Sequence, residues 1–294
     1  MKYSAVQNYI GGKFVDASSN RKLDVISPID GTLLSTVPLS VAKDLDDAVK
    51  AAKAAFPGWS KTPIKKRVQV FFKYKYLLEK HMKELAQLGT EENGKTVEES
   101  IAELEKCIEL TEFATSLPQV ATGEVMEVSN GIDCRTQVVP LGVVASIVPF
   151  NFPTMVPNWT LPNAIALGNC MIMKPSEKVP LSICKLAELL KEAGLPDGVF
   201  NIVHGDSEIV EAICDHPGIE AVSFVGSTKV AKIVYKRATG NYKRCLAMGG
   251  AKNHLVVLPD AKQDLTAQNI IASMSGCAGQ RCMAAGAMIG VGNV

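Results

Sequence analysis

The chain has 294 residues, 47% of them apolar and 21% charged, with 31 Lys+Arg against 30 Asp+Glu and a net charge of +1. That length holds one large domain or two ordinary ones, and the apolar share excludes disorder as the main state. No basic excess asks for nucleic acid and no single-sign field asks for a membrane surface, which leaves a small-molecule enzyme or a neutral interaction domain.

The first forty residues read as short strands and turns. Tyr9-Ile10-Gly11-Gly12-Lys13-Phe14-Val15 places a Gly-Gly pair between two β-prone pieces, a hairpin signal. From about Val41 to Leu117 the texture is helical, and Thr96-Val97-Glu98-Glu99 fits a capping box at the start of one helix. From Thr136 to Met173 there is no Asp, Glu, Lys or Arg. That length could span a bilayer. Pro140, Pro149, Pro153, Pro157 and Pro162 interrupt it, and Asn151, Asn158, Asn163 and Asn169 would sit in lipid, so it reads as a buried strand, a loop and a buried helix.

After residue 140 strands and helices alternate. Strands are predicted at Val143–Val148, Cys170–Met173, Val199–Val203, Ala221–Val225 and His254–Leu258, and helices at Thr154–Leu167, Leu181–Ala193 and Thr228–Ala238. Apolar strand runs without alternation, joined by crossover helices, imply a parallel sheet covered on both faces. Such sheets bind ligands beyond the carboxyl ends of their strands.

Residues directly after strands are therefore the informative ones. Gly226-Ser227-Thr228 opens a helix whose free N–H groups and dipole suit a phosphate, although an ordinary Ser/Thr cap would look the same. No GxGxxG is present. Lys174 and Glu177 flank a strand exit; the carboxylate could accept both hydroxyls of a ribose and repel a 2′-phosphate, and a surface ion pair is the alternative. Asn151 sits in a Pro-bounded loop, where its amide could donate to an oxyanion or merely satisfy loop backbone.

The eight cysteines are Cys107, Cys134, Cys170, Cys184, Cys214, Cys245, Cys277 and Cys282. They are scattered, and Met1-Lys2-Tyr3-Ser4 opens no signal core, so free thiols in a reducing, cytoplasmic setting are expected. Four histidines without a CxxC pair give no metal-site pattern. Cys282 follows small residues and glycines, with Arg281 and an expected helix start to favour its thiolate; a small buried hydrophobe is the alternative, and Cys277 is the competing thiol. No His lies nearby in sequence to pair with it.

Taken in order, Ile147-Val148-Pro149-Phe150-Asn151-Phe152-Pro153, Lys174-Pro175-Ser176-Glu177, Phe224-Val225-Gly226-Ser227-Thr228 and Gly279-Gln280-Arg281-Cys282 resemble the aldehyde dehydrogenase superfamily over essentially the whole chain. Asn201-Ile202-Val203-His204-Gly205, Ile213-Cys214-Asp215-His216-Pro217, Ala251-Lys252-Asn253-His254 and Gly279–Ala284 resemble its CoA-acylating methylmalonate-semialdehyde dehydrogenases. The resemblance implies an α/β fold: a parallel, Rossmann-like cofactor sheet with helices on both faces, plus the beginning of a second α/β catalytic domain. It implies an NAD-binding domain at 1–116 and 139–250, a hairpin arm for oligomerisation at 117–138, and the start of the catalytic domain at 251–294.

By the same resemblance Cys282 is the nucleophile and Asn151 its oxyanion donor. Lys174 and Glu177 would hold the adenosine ribose, with Ser176 and Lys178 beside them; Gly226 and Ser227 would cover the pyrophosphate, Val148, Pro149, Phe150 and Gly249 would line the nicotinamide side and Gly205 the adenine side, and Phe224 is a further cofactor-binding residue. Phe150 stands where many members carry Trp, and Ala231 where a Gly is usual. Hydrolytic members carry a general-base Glu four residues before the Lys of a Glu-Leu-Gly-Gly-Lys motif; here Ala247-Met248-Gly249-Gly250-Ala251-Lys252 offers only Met248 or Ala247. Neither can take a proton from water, which favours the thiol of coenzyme A as acyl acceptor. A malonate-type semialdehyde carries a carboxylate, for which Arg281 is one cation and Lys106, where the subgroup carries Arg, is another. The expected partners are thus NAD, coenzyme A, a small aldehyde and, in the full-length form, further copies of the chain. Family members are substantially longer, so a C-terminally truncated member that turns over poorly alone is expected. A hydrolytic dehydrogenase with its base elsewhere, and a non-catalytic NAD-binding fragment, are the alternatives.

Overall fold

The computed structural model describes residues 1–294. The chain opens with β1 (Asn8–Ile10) and β2 (Lys13–Val15), paired as the predicted hairpin. Its turn needs positive φ at both central positions, and Gly11 (+58°) and Gly12 (+80°) supply it. A second hairpin, β3 (Lys22–Ile26) with β4 (Leu33–Pro38), leads into four helices: α1 (Ala42–Lys61), α2 (Ile64–Lys80), α3 (Met82–Asn93) and α4 (Val97–Val120). The capping box at the start of α4 forms as predicted: Glu99 N donates to Thr96 Oγ1 and Thr96 N donates to Glu99 Oε2, both at 3.2 Å. The exposed hairpin β5 (Val125–Ser129) and β6 (Ile132–Arg135) follows.

The uncharged run then folds as β7 (Val143–Ile147), α5 (Met155–Ala166) and β8 (Cys170–Lys174), with every residue of both strands buried. No helix is long and apolar enough to cross a membrane. The alternation continues through α6 (Leu181–Glu192), β9 (Phe200–Ile202), α7 (Ser207–Asp215), β10 (Ala221–Val225), α8 (Thr228–Gly240) and β11 (Arg244–Met248). The last segment is β12 (Asn253–Val257), α9 (Gln263–Ser275) and β13 (Ala285–Gly290), with β12 and β13 parallel. All eight thiols are free.

The main sheet runs β11-β10-β7-β8-β9-β1-β2. Its first five strands are parallel, as expected, but β1 joins β9 antiparallel through Tyr9 and Ile202, so the sheet is mixed. β11 escaped sequence reading because Arg244 begins it and, as an edge strand, it carries no continuous buried run. A core of 51 buried residues, including Phe71, Tyr74, Leu161, Met171 and Phe200, lies between the sheet and its helices; after Ala238 only the partly buried Cys245 and Ala247 of β11 pack against it.

The order of strands positions the site. The parallel part of the sheet begins at β7, moves outward to β8 and β9, then returns to the opposite side of β7 for β10 and β11. The reversal separates the loops leaving β7 and β10 and opens a crevice at their carboxyl ends. Register aligns those ends, pairing Ile147 with Lys174 and with Phe224, and Phe224 with Ala247.

Candidate active site

The crevice is a cleft of about 440 Å³ lined by the exits of β7, β8 and β10 and the start of α7. Ten of the twelve residues singled out for a cofactor line it: Val148, Pro149, Phe150, Lys174, Ser176, Glu177, Lys178, Phe224, Gly226 and Ser227. Gly205 and Gly249 lie beside it. A Cβ on Gly205 would stand 2.5 Å from Ile209, and one on Gly249 3.0 Å from Thr228, so both glycines let neighbouring elements close up. Asp206, Ser207, Val210 and Val230 also line the cleft and were not anticipated. Their signal was available: Asp206-Ser207 follows a strand and caps a helix, Asp206 Oδ1 accepting from Glu208 N at 3.0 Å.

Lys174 is no surface residue. It ends β8 with its side chain 6% exposed, and its Nζ donates to Glu177 Oε2 at 3.1 Å. The apolar stem is buried with the strand while the ammonium and its carboxylate face the cleft. Lys178 Nζ stands over the Phe150 ring, 4.9 Å from its centroid. Ser227 does cap α8, accepting from Val230 N at 3.4 Å, so the ordinary reading of that serine holds locally. Gly226 is required by a close approach, since a Cβ there would stand 2.6 Å from the Phe224 ring.

Phe150 is the hinge point between the cleft and the thiol-bearing segment. It also borders a second cavity, of about 380 Å³, lined by Asn93, Lys178 and Gln280. Its carbonyl accepts from Asn93 Nδ2 at 2.8 Å. The next residue, Asn151, donates from Nδ2 to the Gln280 carbonyl at 2.6 Å, and its side-chain oxygen is buried without a partner. The Asn151 loop thus touches the segment that ends in Cys282, two residues beyond Gln280.

That loop is held by an ion pair that sequence reading did not identify. Lys95 Nζ donates to Glu103 Oε2 at 2.6 Å and to the Asn151 carbonyl at 2.8 Å, and both charged side chains are buried. The other Glu103 oxygen accepts from Thr154 N, Thr154 Oγ1 and Met155 N at 2.7, 2.7 and 2.9 Å, satisfying the first N–H groups of α5.

The two competing thiols differ. Cys282 is exposed, in a turn before β13 rather than at a helix start, and its carbonyl accepts from Asn253 Nδ2 at 2.8 Å. Cys277 is buried in a left-handed conformation (φ 52°), its thiol 3.5 Å from the Asn151 carbonyl. Burial pushes the Cys277 thiol up. Arg281 is bound to Glu99 at 3.0 Å. Lys106 is half exposed on α4, paired with Glu109, and meets none of these groups. Ala247 and Met248 end β11, where Gly226 N donates to the Met248 carbonyl at 3.1 Å.

The fold also makes one Cys–His contact hidden by sequence distance, Cys184 Sγ to His204 Nε2 at 3.6 Å. Burial pulls the imidazole down to about 3 and pushes the Cys184 thiol up, so the pair stays neutral and cannot serve as nucleophile and base.

Residues 14–291 match the model of the aldehyde dehydrogenase family. The chain is 47% identical over 290 residues to malonate-semialdehyde dehydrogenase 1 of Geobacillus thermodenitrificans, covering 98% of this chain and 60% of that protein. It is also 47% identical over 285 residues to the malonate-semialdehyde dehydrogenase of Lacticaseibacillus casei, covering 97% of this chain and 58% of that one. Among solved structures, methylmalonate-semialdehyde dehydrogenase from Oceanimonas doudoroffii superposes with a TM-score of 0.97 at 43% identity, covering 99% of this chain and 60% of that chain. A Sinorhizobium meliloti protein assigned to the same enzyme and complexed with NAD gives the same TM-score and identity, covering 100% and 60%. The chain therefore spans about 60% of the length of these relatives.

Proposed function

This chain belongs to the aldehyde dehydrogenase family, and from that premise we propose that it carries the cofactor cleft and reacting thiol of an NAD-dependent, CoA-acylating malonate- or methylmalonate-semialdehyde dehydrogenase. The residues of the cleft fit NAD. The Glu177 carboxylate, steadied by Lys174, can accept two ribose hydroxyls and disfavours a 2′-phosphate, and the start of α8 beside Gly226 offers free N–H groups to a pyrophosphate. When bound, NAD supplies the hydride acceptor.

The chain's own groups do the rest. The Cys282 thiolate adds to the aldehyde carbon, forming a C–S bond and placing the electron pair of the carbonyl on oxygen. The Asn151 amide and the Cys282 N–H steady that oxyanion; one such donor is worth about 3 kcal/mol of barrier. Loss of hydride from the same carbon leaves a thioester on Cys282. The thiolate of coenzyme A then attacks the acyl carbon and Cys282 leaves. A malonate-type acyl group also loses CO₂, before or after the transfer.

The observation that carries the reading is the pairing of Asn151 with the Gln280 carbonyl, which joins the cleft-side loop to the segment bearing Cys282. Acceptance by coenzyme A rather than water rests on Ala247 and Met248 standing where hydrolytic relatives carry a carboxylate. The test is a single-turnover experiment with NAD and malonate semialdehyde, followed by peptide mass analysis. An acyl adduct on Cys282 that persists in water and is discharged by coenzyme A is expected. An adduct on Cys277, or discharge by water alone at the same rate, would overturn the assignment.

A further inference from the structure

Glu99 is more than a helix cap. One of its oxygens accepts from Thr96 N; the other accepts from Cys277 N at 2.6 Å and from Arg281 Nη2 at 3.0 Å. The carboxylate therefore grips both ends of the turn that precedes Cys282. The Arg281 guanidinium lies so closely over Gly276 that a Cβ there would stand 2.6 Å from its central carbon. Glu99 and Arg281 are 23% and 39% exposed, so the pair is open enough for a second anion to reach the free edge of the guanidinium.

We propose that Glu99 is a specificity-determining residue: as the internal counter-anion of Arg281 it fixes the guanidinium in place and sets how strongly the site takes a substrate carboxylate. This rests on the reading of Cys282 as the reacting thiol and Arg281 as the carboxylate receptor. A carboxylated electrophile approaching Cys282 meets a cation already half neutralised. The site thus accepts the substrate anion without gripping it, and discriminates against it less than a bare carboxylate would and less in its favour than a bare arginine would.

Iodoacetate and iodoacetamide test this without turnover. In both, the thiolate sulfur displaces iodide from the CH₂ carbon; the reagents differ in carrying a carboxylate or a neutral amide. The ratio of their rates at Cys282, read by peptide mapping and referred to the same ratio for free glutathione, reports the local cation. In the native chain the ratio should exceed that of glutathione. E99Q keeps an acceptor for the Cys277 N–H but no charge, and should raise the ratio about threefold to fivefold, the size of a partly exposed charge pair. R281M should bring it down to the glutathione value. An unchanged ratio in R281M overturns the underlying assignment of Arg281. A fall in R281M with an unchanged or lower ratio in E99Q overturns the role of Glu99 alone.

Discussion

The Lys95 ammonium bridges the Asn151 carbonyl, at 2.8 Å, and the Glu103 carboxylate, at 2.6 Å, in a setting where both charged side chains are almost wholly buried. Since Glu103 also receives three donors from the start of α5, this pair fixes both ends of the loop 151–154. Removing one partner of a buried pair leaves an uncompensated charge, which costs about 3–5 kcal/mol. Lys95→Met should lose that much in urea unfolding, while Lys95→Met combined with Glu103→Gln should lose clearly less than the sum of the two single changes. Additive losses would show that the two groups do not act as a pair.

Glu177 is expected to set the choice of dinucleotide. Its carboxylate is held at the cleft by Lys174, where it can bond ribose hydroxyls and repel a phosphate. Glu177→Gln keeps one acceptor and removes the repulsion. Calorimetric titration should show NAD binding about tenfold weaker, the loss of about 1.4 kcal/mol, and NADP binding no weaker than in the parent chain. Equal losses for both dinucleotides would remove Glu177 from ribose recognition.

The cleft was legible in the sequence because its strands are. Val143–Ile147, Cys170–Lys174 and Ala221–Val225 are short apolar runs, and a parallel sheet places whatever follows such runs at one edge. The network beneath it was not legible. Lys95 precedes the N-cap of α4 and Glu103 lies about two turns inside that helix, positions where charged residues ordinarily face water, and only tertiary packing buries them. Glu99 showed its local role as a capping-box residue, whereas its partner Cys277 lies 178 residues away. The 3.6-residue period of α4 does not disclose such partners, nor does the β-period disclose that β1 turns antiparallel against β9.

A pH dependence follows from Glu92. Its carboxylate accepts from Leu181 N and Ser182 N at the start of α6, yet burial pushes the carboxyl up to about 7 against those bonds. A pKa raised on folding means that the folded chain holds the proton more tightly. Its contribution is fully present below about pH 4.5 and is lost as pH rises through 7. Glu92→Gln stays neutral throughout. Relative to the parent chain, its unfolding free energy should therefore rise between pH 4.5 and 8, by on the order of 2 to 3 kcal/mol. Stability–pH curves that run parallel would rule out a titrating Glu92.

If the cleft takes NAD as proposed, Gly226 should tie backbone shape to cofactor binding. A methyl group there would meet the Phe224 ring at 2.6 Å, and Phe224 and Gly226 line the same cleft. The ring is packed into the main core, so it can yield only by turning into the cleft or by moving the β10–α8 turn. Gly226→Ala should cost about 1–3 kcal/mol in unfolding, as overpacking does, and weaken NAD by more than tenfold. The companion change Phe224→Leu in the alanine variant removes the clash and should recover most of both losses. Recovery of stability without recovery of binding would mean that Gly226 serves the cofactor by its bare backbone and not by accommodating Phe224.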